Sequence, residues 1–378
     1  MRIRLPCASL LVACLAGPGM AQDSPAGRLQ HTLDSLQVAG LFIGATVGVA
    51  LPDGQVLALA TGLSDTVLDV PMRPDHRMLA GSVGKMFFAA VALRLVADGR
   101  LDLDAQISEW LGTEPWFDSL PNARAVTIRH LMSHTSGLVR YEFNPTFIAD
   151  LLADPGRTFT PVEEIRYLFG ATPPFAAGAG WDYSDTNYIV LAMILERILG
   201  TTAYDAIRQQ VVEPLGLMGT IASDRRDLAG LAQGYAGPRN PFGGYDAMVV
   251  DGVFAINPQF EWAGGGFAST GADLARLAVA WYEGVLFDSA VVRQAVDGVP
   301  APALGPGVRY GLGVIVRDTP LGPAWGHSGY FPGYLTEVRY YPAHRTAIAV
   351  QLNQNAPRRG PGAIVQVLAA TLLDPGGP

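Results

Sequence analysis

From Met86 to Asp98 the chain reads Met-Phe-Phe-Ala-Ala-Val-Ala-Leu-Arg-Leu-Val-Ala-Asp and then meets Gly99. A helix with almost no polar face has to be covered on every side. This segment therefore belongs at the centre of the molecule, and Gly99 provides the residue type that ends a helix in a left-handed turn. Of 378 residues, 49% are apolar and 16% charged, enough to build the covering and too apolar for a disordered chain.

The residues leading into this helix carry chemistry. They read Gly81-Ser82-Val83-Gly84-Lys85, and Lys85 is the only lysine; every other one of the 26 basic residues is arginine. Arginine keeps its proton in a protein, whereas lysine releases it when desolvated. A position that retains lysine against that bias suits a compact ammonium or a neutral amine. Ser82 and Lys85 are three apart and share a helical face, and the helix start adds partial positive charge where an oxyanion would form. To act as a base near neutrality the amine must drop about three pKa units, a cost of about 4 kcal/mol that burial supplies.

Two further clusters stand out. Trp181-Asp182-Tyr183-Ser184-Asp185 follows a Gly/Ala-rich turn and precedes a helical run, Ile189 to Leu199, which ends at Gly200. Tyr183 is thus expected on a loop, its phenol free to carry protons beside a lysine. Trp325-Gly326-His327-Ser328-Gly329-Tyr330 reads as an edge strand whose glycines admit a close backbone approach and whose N–H groups face an oxyanion. His327 is placed to hold a substrate carboxylate or polarise a carbonyl. Single Tyr and His residues are ordinarily structural, so the weight rests on the three clusters together.

Ser-x-x-Lys, Tyr-x-Asp and His-x-Gly in this order resemble the serine β-lactamase-like superfamily, in the branch of class C β-lactamases, D-alanyl-D-alanine carboxypeptidases, D-aminopeptidases and esterases. Thr127 to Leu138 and Ala263 to Thr270 look like the same family. The resemblance implies that Ser82 is acylated, that Lys85 and Tyr183 manage its proton, and that the N–H groups of Ser82 and Tyr330 form the oxyanion hole. His327 stands where class C β-lactamases have lysine, which points toward peptidases. Asp185 stands where many relatives have asparagine. It loses a donor toward the substrate and favours ammonium at Lys85, which strengthens Tyr183 as the proton carrier.

Other readings fit less well. Ala80-Gly81-Ser82-Val83-Gly84 nearly matches the nucleophile elbow of α/β-hydrolases, but Pro74 to Leu79 is a poor buried strand and Lys85 has no part there. His130 and His134 lie four apart, yet no glutamate follows His130, so no metal is expected and no cofactor is implied. The net charge of −8 and the lack of a basic run exclude a nucleic-acid face. Arg2 and Arg4, the apolar stretch Leu5 to Ala16 and Gly19-Met20-Ala21 read as an export signal. Both cysteines, Cys7 and Cys14, fall inside it. Leu11 to Cys14 offers a less favoured alternative, a lipoprotein box tethering Cys14. A periplasmic or secreted location is expected, and no later stretch is long and apolar enough to span a membrane.

The expected architecture is α+β. Strands at Ile43 to Leu51, Gln55 to Thr61, Tyr310 to Arg317, Leu335 to Tyr341 and Thr346 to Asn353 build one antiparallel sheet. Terminal helices at Gln30 to Leu36 and Gly362 to Leu373 flank it. A signal peptide occupies 1–21 and a single hydrolase domain 22–378, with the sheet from about 22–78 and 275–378 and an all-α subdomain from about 79–274. The expected activity is that of a D-alanyl-D-alanine carboxypeptidase-like peptidase acting on a small-molecule or carboxylate-bearing peptide substrate. An esterase of small acyl groups, a β-lactamase and a non-catalytic penicillin-binding domain follow in that order.

Overall fold

A computed structural model of the protein describes residues 24–237, 240–241 and 245–374. The expected export segment, with Cys7, Cys14 and the cleavage site at Ala21, lies outside the described residues.

The strands in chain order are β1 (Gly44–Ala50), β2 (Val56–Asp65), β3 (Val70–Pro71), β4 (Met78–Leu79), β5 (Ile221–Ala222), β6 (Val249–Val250), β7 (Val253–Phe254), β8 (Phe267–Ser269), β9 (Val299–Pro300), β10 (Arg309–Tyr310), β11 (Ile315–Thr319), β12 (Gly322–Phe331), β13 (Tyr334–Tyr341) and β14 (Thr346–Leu352). Nine of them form one sheet in the order β3-β2-β1-β14-β13-β12-β11-β10-β9. Its pairs are antiparallel, and both ends of the chain meet where Val47 of β1 lies opposite Val350 of β14.

The two outer helices, Pro25–Val38 and Pro361–Leu373, cover one face of the sheet, with Leu29, Leu33, Ile364 and Leu368 packed on Val47 and Val350. The helix Gly271–Tyr282 covers the other face. There the backbones nearly touch, because a Cβ on Gly48 would sit 2.0 Å from the Gly271 carbonyl oxygen. Covering on both sides explains why β1 is buried along its whole length and does not alternate.

The apolar run forms the helix Lys85–Ala97, entered through a tight 3₁₀ turn at Gly81–Gly84 and left through Gly99 at φ 67°. Every side chain from Lys85 to Leu93 is buried. The helix Thr186–Leu199 packs beside it and ends at the left-handed Gly200. The strand before Ser82 is only the two-residue β4, paired antiparallel with β8. A nucleophile elbow would need a long parallel strand at that place.

Two local expectations are corrected. The span read as one strand from Tyr310 to Arg317 is a hairpin, β10 to β11. Its Gly-Leu-Gly turn brings the Gly311 N–H to the Val314 carbonyl, 2.8 Å away. The His327 strand, expected at an edge, lies inside the sheet. Its pairing with β11 stops at Gly326–Ile315, however, while pairing with β13 continues to Phe331. From His327 to Phe331 one side of β12 is therefore unpaired by any strand, and that side meets the Ser82 turn.

Candidate active site

Ser82 lies on the 3₁₀ turn and Lys85 opens the helix behind it. Lys85 Nζ donates to Ser82 Oγ at 3.1 Å, so the spacing of three does bring hydroxyl and amine together. Nζ also donates to Asp185 Oδ1 at 2.5 Å and to the Gly264 carbonyl. Three acceptors surround a side chain with no exposed surface. Gly84 permits this, since a Cβ there would overlap the Gly265 carbonyl at 1.5 Å and push the glycine loop off the helix.

Tyr183 sits on the loop before Thr186–Leu199, with its ring centroid 4.9 Å from Lys85 Nζ. Its hydroxyl is buried, with Lys85 and Ser82 acting on it. Burial raises the phenol above its usual range against the pull of Lys85 and Ser82, so it rests protonated. Burial opposes the ammonium at Lys85, but the Asp185 carboxylate outweighs it and holds Lys85 above the ordinary lysine range. Asp185 in turn is held at about 2: desolvation resists ionisation, and Lys85 and Arg140 overcome it. The departure from asparagine thus produces a buried ion pair.

Sequence reasoning missed the groups that surround that pair. Arg140 Nε binds Glu142 Oε1 at 2.5 Å, while Arg140 Nη2 lies 3.8 Å from Asp185 Oδ2. Basic and acidic side chains therefore alternate from Lys85 through Asp185 and Arg140 to Glu142. Burial pushes Glu142 up to about 8, with the Asp185 charge adding to the shift. Glu261 is likewise raised to about 8 by burial, and its Oε2 accepts the Gly266 N–H at 3.1 Å. Neither acid lies in a motif, and the only local signal is that Glu261 directly precedes the Trp262 to Phe267 glycine loop.

The β12 residues separate by face. Gly329 and Gly81 let the strand press against the turn: a Cβ on Gly329 would be 1.9 Å from the Ala80 carbonyl oxygen, and one on Gly81 2.7 Å from Tyr330 N. The backbone of Tyr330 thus adjoins Ser82, while its side chain is 45% exposed. Ser328 turns its hydroxyl to the opposite face, donating to Glu337 at 2.6 Å and accepting from Arg317 at 2.8 Å.

His327 departs from the expected carboxylate anchor. Its Nδ1 donates to the Ser328 carbonyl at 2.7 Å, which leaves Nε2 to accept from the Tyr310 hydroxyl at 2.9 Å. Burial and the nearby Lys85 charge lower it to about 3. It is a neutral imidazole with both nitrogens occupied.

Two hollows meet at Ser82. A small one of about 110 Å³ is walled by Tyr141, Phe143, Phe260 and Phe331, with Glu142 and Glu261 at its edge. A wider one of about 600 Å³ runs past Tyr183 and His327 to Gly362. Arg140 lines both. The two histidines four apart are separated: His130 closes a capping box with Thr127, and His134 is buried under Tyr183.

Comparison with known proteins places the fold. The chain is 31% identical over 331 residues to esterase EstB of Burkholderia gladioli, covering 79% of this chain and 81% of the esterase. It is 27% identical to a D-aminopeptidase of Cereibacter sphaeroides, covering 91% of this chain and 63% of that protein. The solved D-stereospecific amidohydrolase from Streptomyces sp. superposes with a TM-score of 0.77 at 25% identity, covering 92% of this chain and 98% of the other. A sequence profile described as Beta-lactamase matches residues 29–371, and the chain belongs to that family of serine hydrolases.

Proposed function

We propose that the protein hydrolyses small esters, and amides more slowly, through an acyl-enzyme on Ser82, and that substrates ending in a free carboxylate are poor ones. The observation behind this is that, among the described residues, the cleft offers no unengaged cation. His327 is neutral and doubly hydrogen-bonded. Among the described residues the two side-chain cations near Ser82, Lys85 and Arg140, are both engaged by acids. A D-alanyl-D-alanine terminus would have to displace one of those pairs, whereas an ester brings no charge to neutralise.

In this reading Ser82 Oγ attacks the acyl carbon while Lys85 and Tyr183 take its proton and return it to the leaving group. The N–H groups of Ser82 and Tyr330 receive the oxyanion, an interaction worth about a hundredfold in rate per donor. Both proton carriers rest protonated, so activity rises with pH as their base form appears. The aromatic walls of the smaller hollow receive the acyl group.

A second reading has one specific support. The Glu142 carboxyl stands at the edge of the acyl pocket, where an amino group on the substrate could meet it. That favours amides or esters of amino acids, in line with the amidohydrolase and D-aminopeptidase relatives.

The test compares kcat/KM for nitrophenyl butyrate, D-phenylalanine amide and an acylated D-alanyl-D-alanine peptide, with intact mass to locate the acyl adduct. The ester is expected to be fastest and the peptide slowest. Fastest turnover of the peptide would refute the proposal, and preference for the amide would select the second reading. We also propose export directed by residues 1–21. N-terminal analysis of the mature protein should begin at Gln22; a lipidated Cys14 or an uncleaved terminus would contradict it.

A further inference from the structure

His134 has no part in the chemistry above, yet it holds the loop that aims Tyr183. It is fully buried and caps the short helix Ile128–Ser133 in the left-handed conformation, φ 60° and ψ 36°. That backbone turn directs its carbonyl and its ring toward the same segment. The carbonyl accepts the N–H of Asp182 at 3.1 Å, and Nδ1 accepts the N–H of Ser184 at 3.2 Å. One residue therefore grips the neighbours of Tyr183 on both sides.

The acceptor role of Nδ1 is fixed. A backbone N–H can only donate, and the Asn187 Nδ2 amide lies 3.0 Å away on the same nitrogen. The Asn187 amide is itself oriented, because Ser136 Oγ donates to its Oδ1 at 2.5 Å. The ring proton of His134 accordingly sits on Nε2. The imidazole lies against the Tyr183 ring, centroids 4.2 Å apart and tilted by 36°, and Tyr310 closes from the edge at 4.6 Å. The Tyr183 hydroxyl, acted on by Lys85 and Ser82, has no partner on its own loop. Its aim comes from the backbone that His134 holds and from the ring beneath it.

We infer that His134 is a positioning residue for Tyr183, fixing the phenol toward Ser82 and Lys85 through the hydrogen bonds its Nδ1 and carbonyl receive from the 182–184 backbone. The inference rests on the reading that Tyr183 carries the proton of Ser82. A displacement of about 1 Å at a group acting on a proton in flight costs up to about a hundredfold in rate, with little effect on substrate binding.

Two variants separate the acceptor from mere space filling. Glycine and asparagine both adopt the left-handed backbone readily, so His134→Gly and His134→Asn preserve the turn. Only asparagine offers an oxygen near the place of Nδ1. Steady-state kinetics on nitrophenyl butyrate should show His134→Gly losing about tenfold or more in kcat with KM within about twofold. His134→Asn should recover most of that loss. Unchanged kcat in His134→Gly, a loss carried by KM, or equal losses in both variants would overturn the inference. Tyr183→Phe run alongside keeps the failures apart. Full activity there would remove the proton-carrier reading itself, whereas an inactive Tyr183→Phe beside an unaffected His134→Gly would reject His134 alone.

Discussion

Replacing Asp185 by asparagine tests the central electrostatic argument. The carboxylate lies 2.5 Å from Lys85 Nζ, within a site where the lysine has no exposed surface. With an effective dielectric of about 20, two unit charges at that distance attract by about 6 to 7 kcal/mol, or about five pKa units before any relaxation. Rearrangement of nearby dipoles returns much of this, and neighbouring charges ordinarily move a pKa by about one to three units. Removing an anion beside a cation lowers the cation's pKa, and burial then pulls Lys85 further down. The rising limb of kcat/KM against pH should therefore move to lower pH by about one to three units in Asp185→Asn. At pH 7.5 the larger fraction of free amine outweighs its weaker basicity. If half the lost basicity appears in the rate, the gain is about three- to thirtyfold. Asp185 makes no capping hydrogen bond to the helix that follows it, so the amide leaves that helix seated. The assay is kcat/KM for a nitrophenyl ester from pH 5 to 10 on both proteins. An unmoved limb in a folded variant would refute the reasoning and leave Lys85 as a fixed cation.

Four further outcomes are expected. Lys85→Met leaves the Asp185 carboxylate buried without its partner and should cost about 3 to 5 kcal/mol in denaturant melts, most of it recovered when Asp185→Asn is added. Stability should fall as pH rises from about 4.5 to 8, because Glu142 and Glu261 hold their protons to about 8 in the folded state and release them on unfolding. Each contributes a slope of at most about 1.4 kcal/mol per pH unit, and a melt series in which Glu261→Gln shows no shallower decline would contradict it. Tyr330 offers the site its backbone, so Tyr330→Ala should keep kcat/KM within about threefold. Gly81→Ala, at φ 52° with its new Cβ 2.5 Å from the Tyr330 carbonyl oxygen, should lose more than about tenfold.

What the sequence exposes here follows from distance along the chain. Ser82 and Lys85 are neighbours on one helical turn, so their meeting is set by local geometry. The central helix declares its burial because no face of it is polar. The alternation of Ile348, Val350 and Leu352 likewise announces β14. Glu142 and Glu261 carry no such sign. A glutamate becomes a buried, protonated acid only when remote segments close over it, and here Arg140, Asp185 and the glycine loop do so from three parts of the chain. The state of His327 was hidden for the same reason, because its partner Tyr310 comes from a different strand pair. The unpaired half of β12 depends on where β11 stops, which is decided by the turn at Gly311 to Val314 and leaves no mark in β12 itself.

The seating of β14 between β1 and β13 has a consequence for how the molecule comes into being. Its seven residues pair with strands on both sides, Val350 facing Val47 and Glu337. Until they arrive, the hairpin of β1 and β2 has no partner on its inner edge, and neither has β13. During synthesis β1 and β2, complete at Asp65, must wait with sticky rims uncovered for a segment that begins only at Thr346. Such long-range closure makes for slow folding and a premium on chaperoned delay. It also predicts that a ribosome stalled before Thr346 would carry a chain prone to clumping, because the piece that zips the two halves together has yet to emerge.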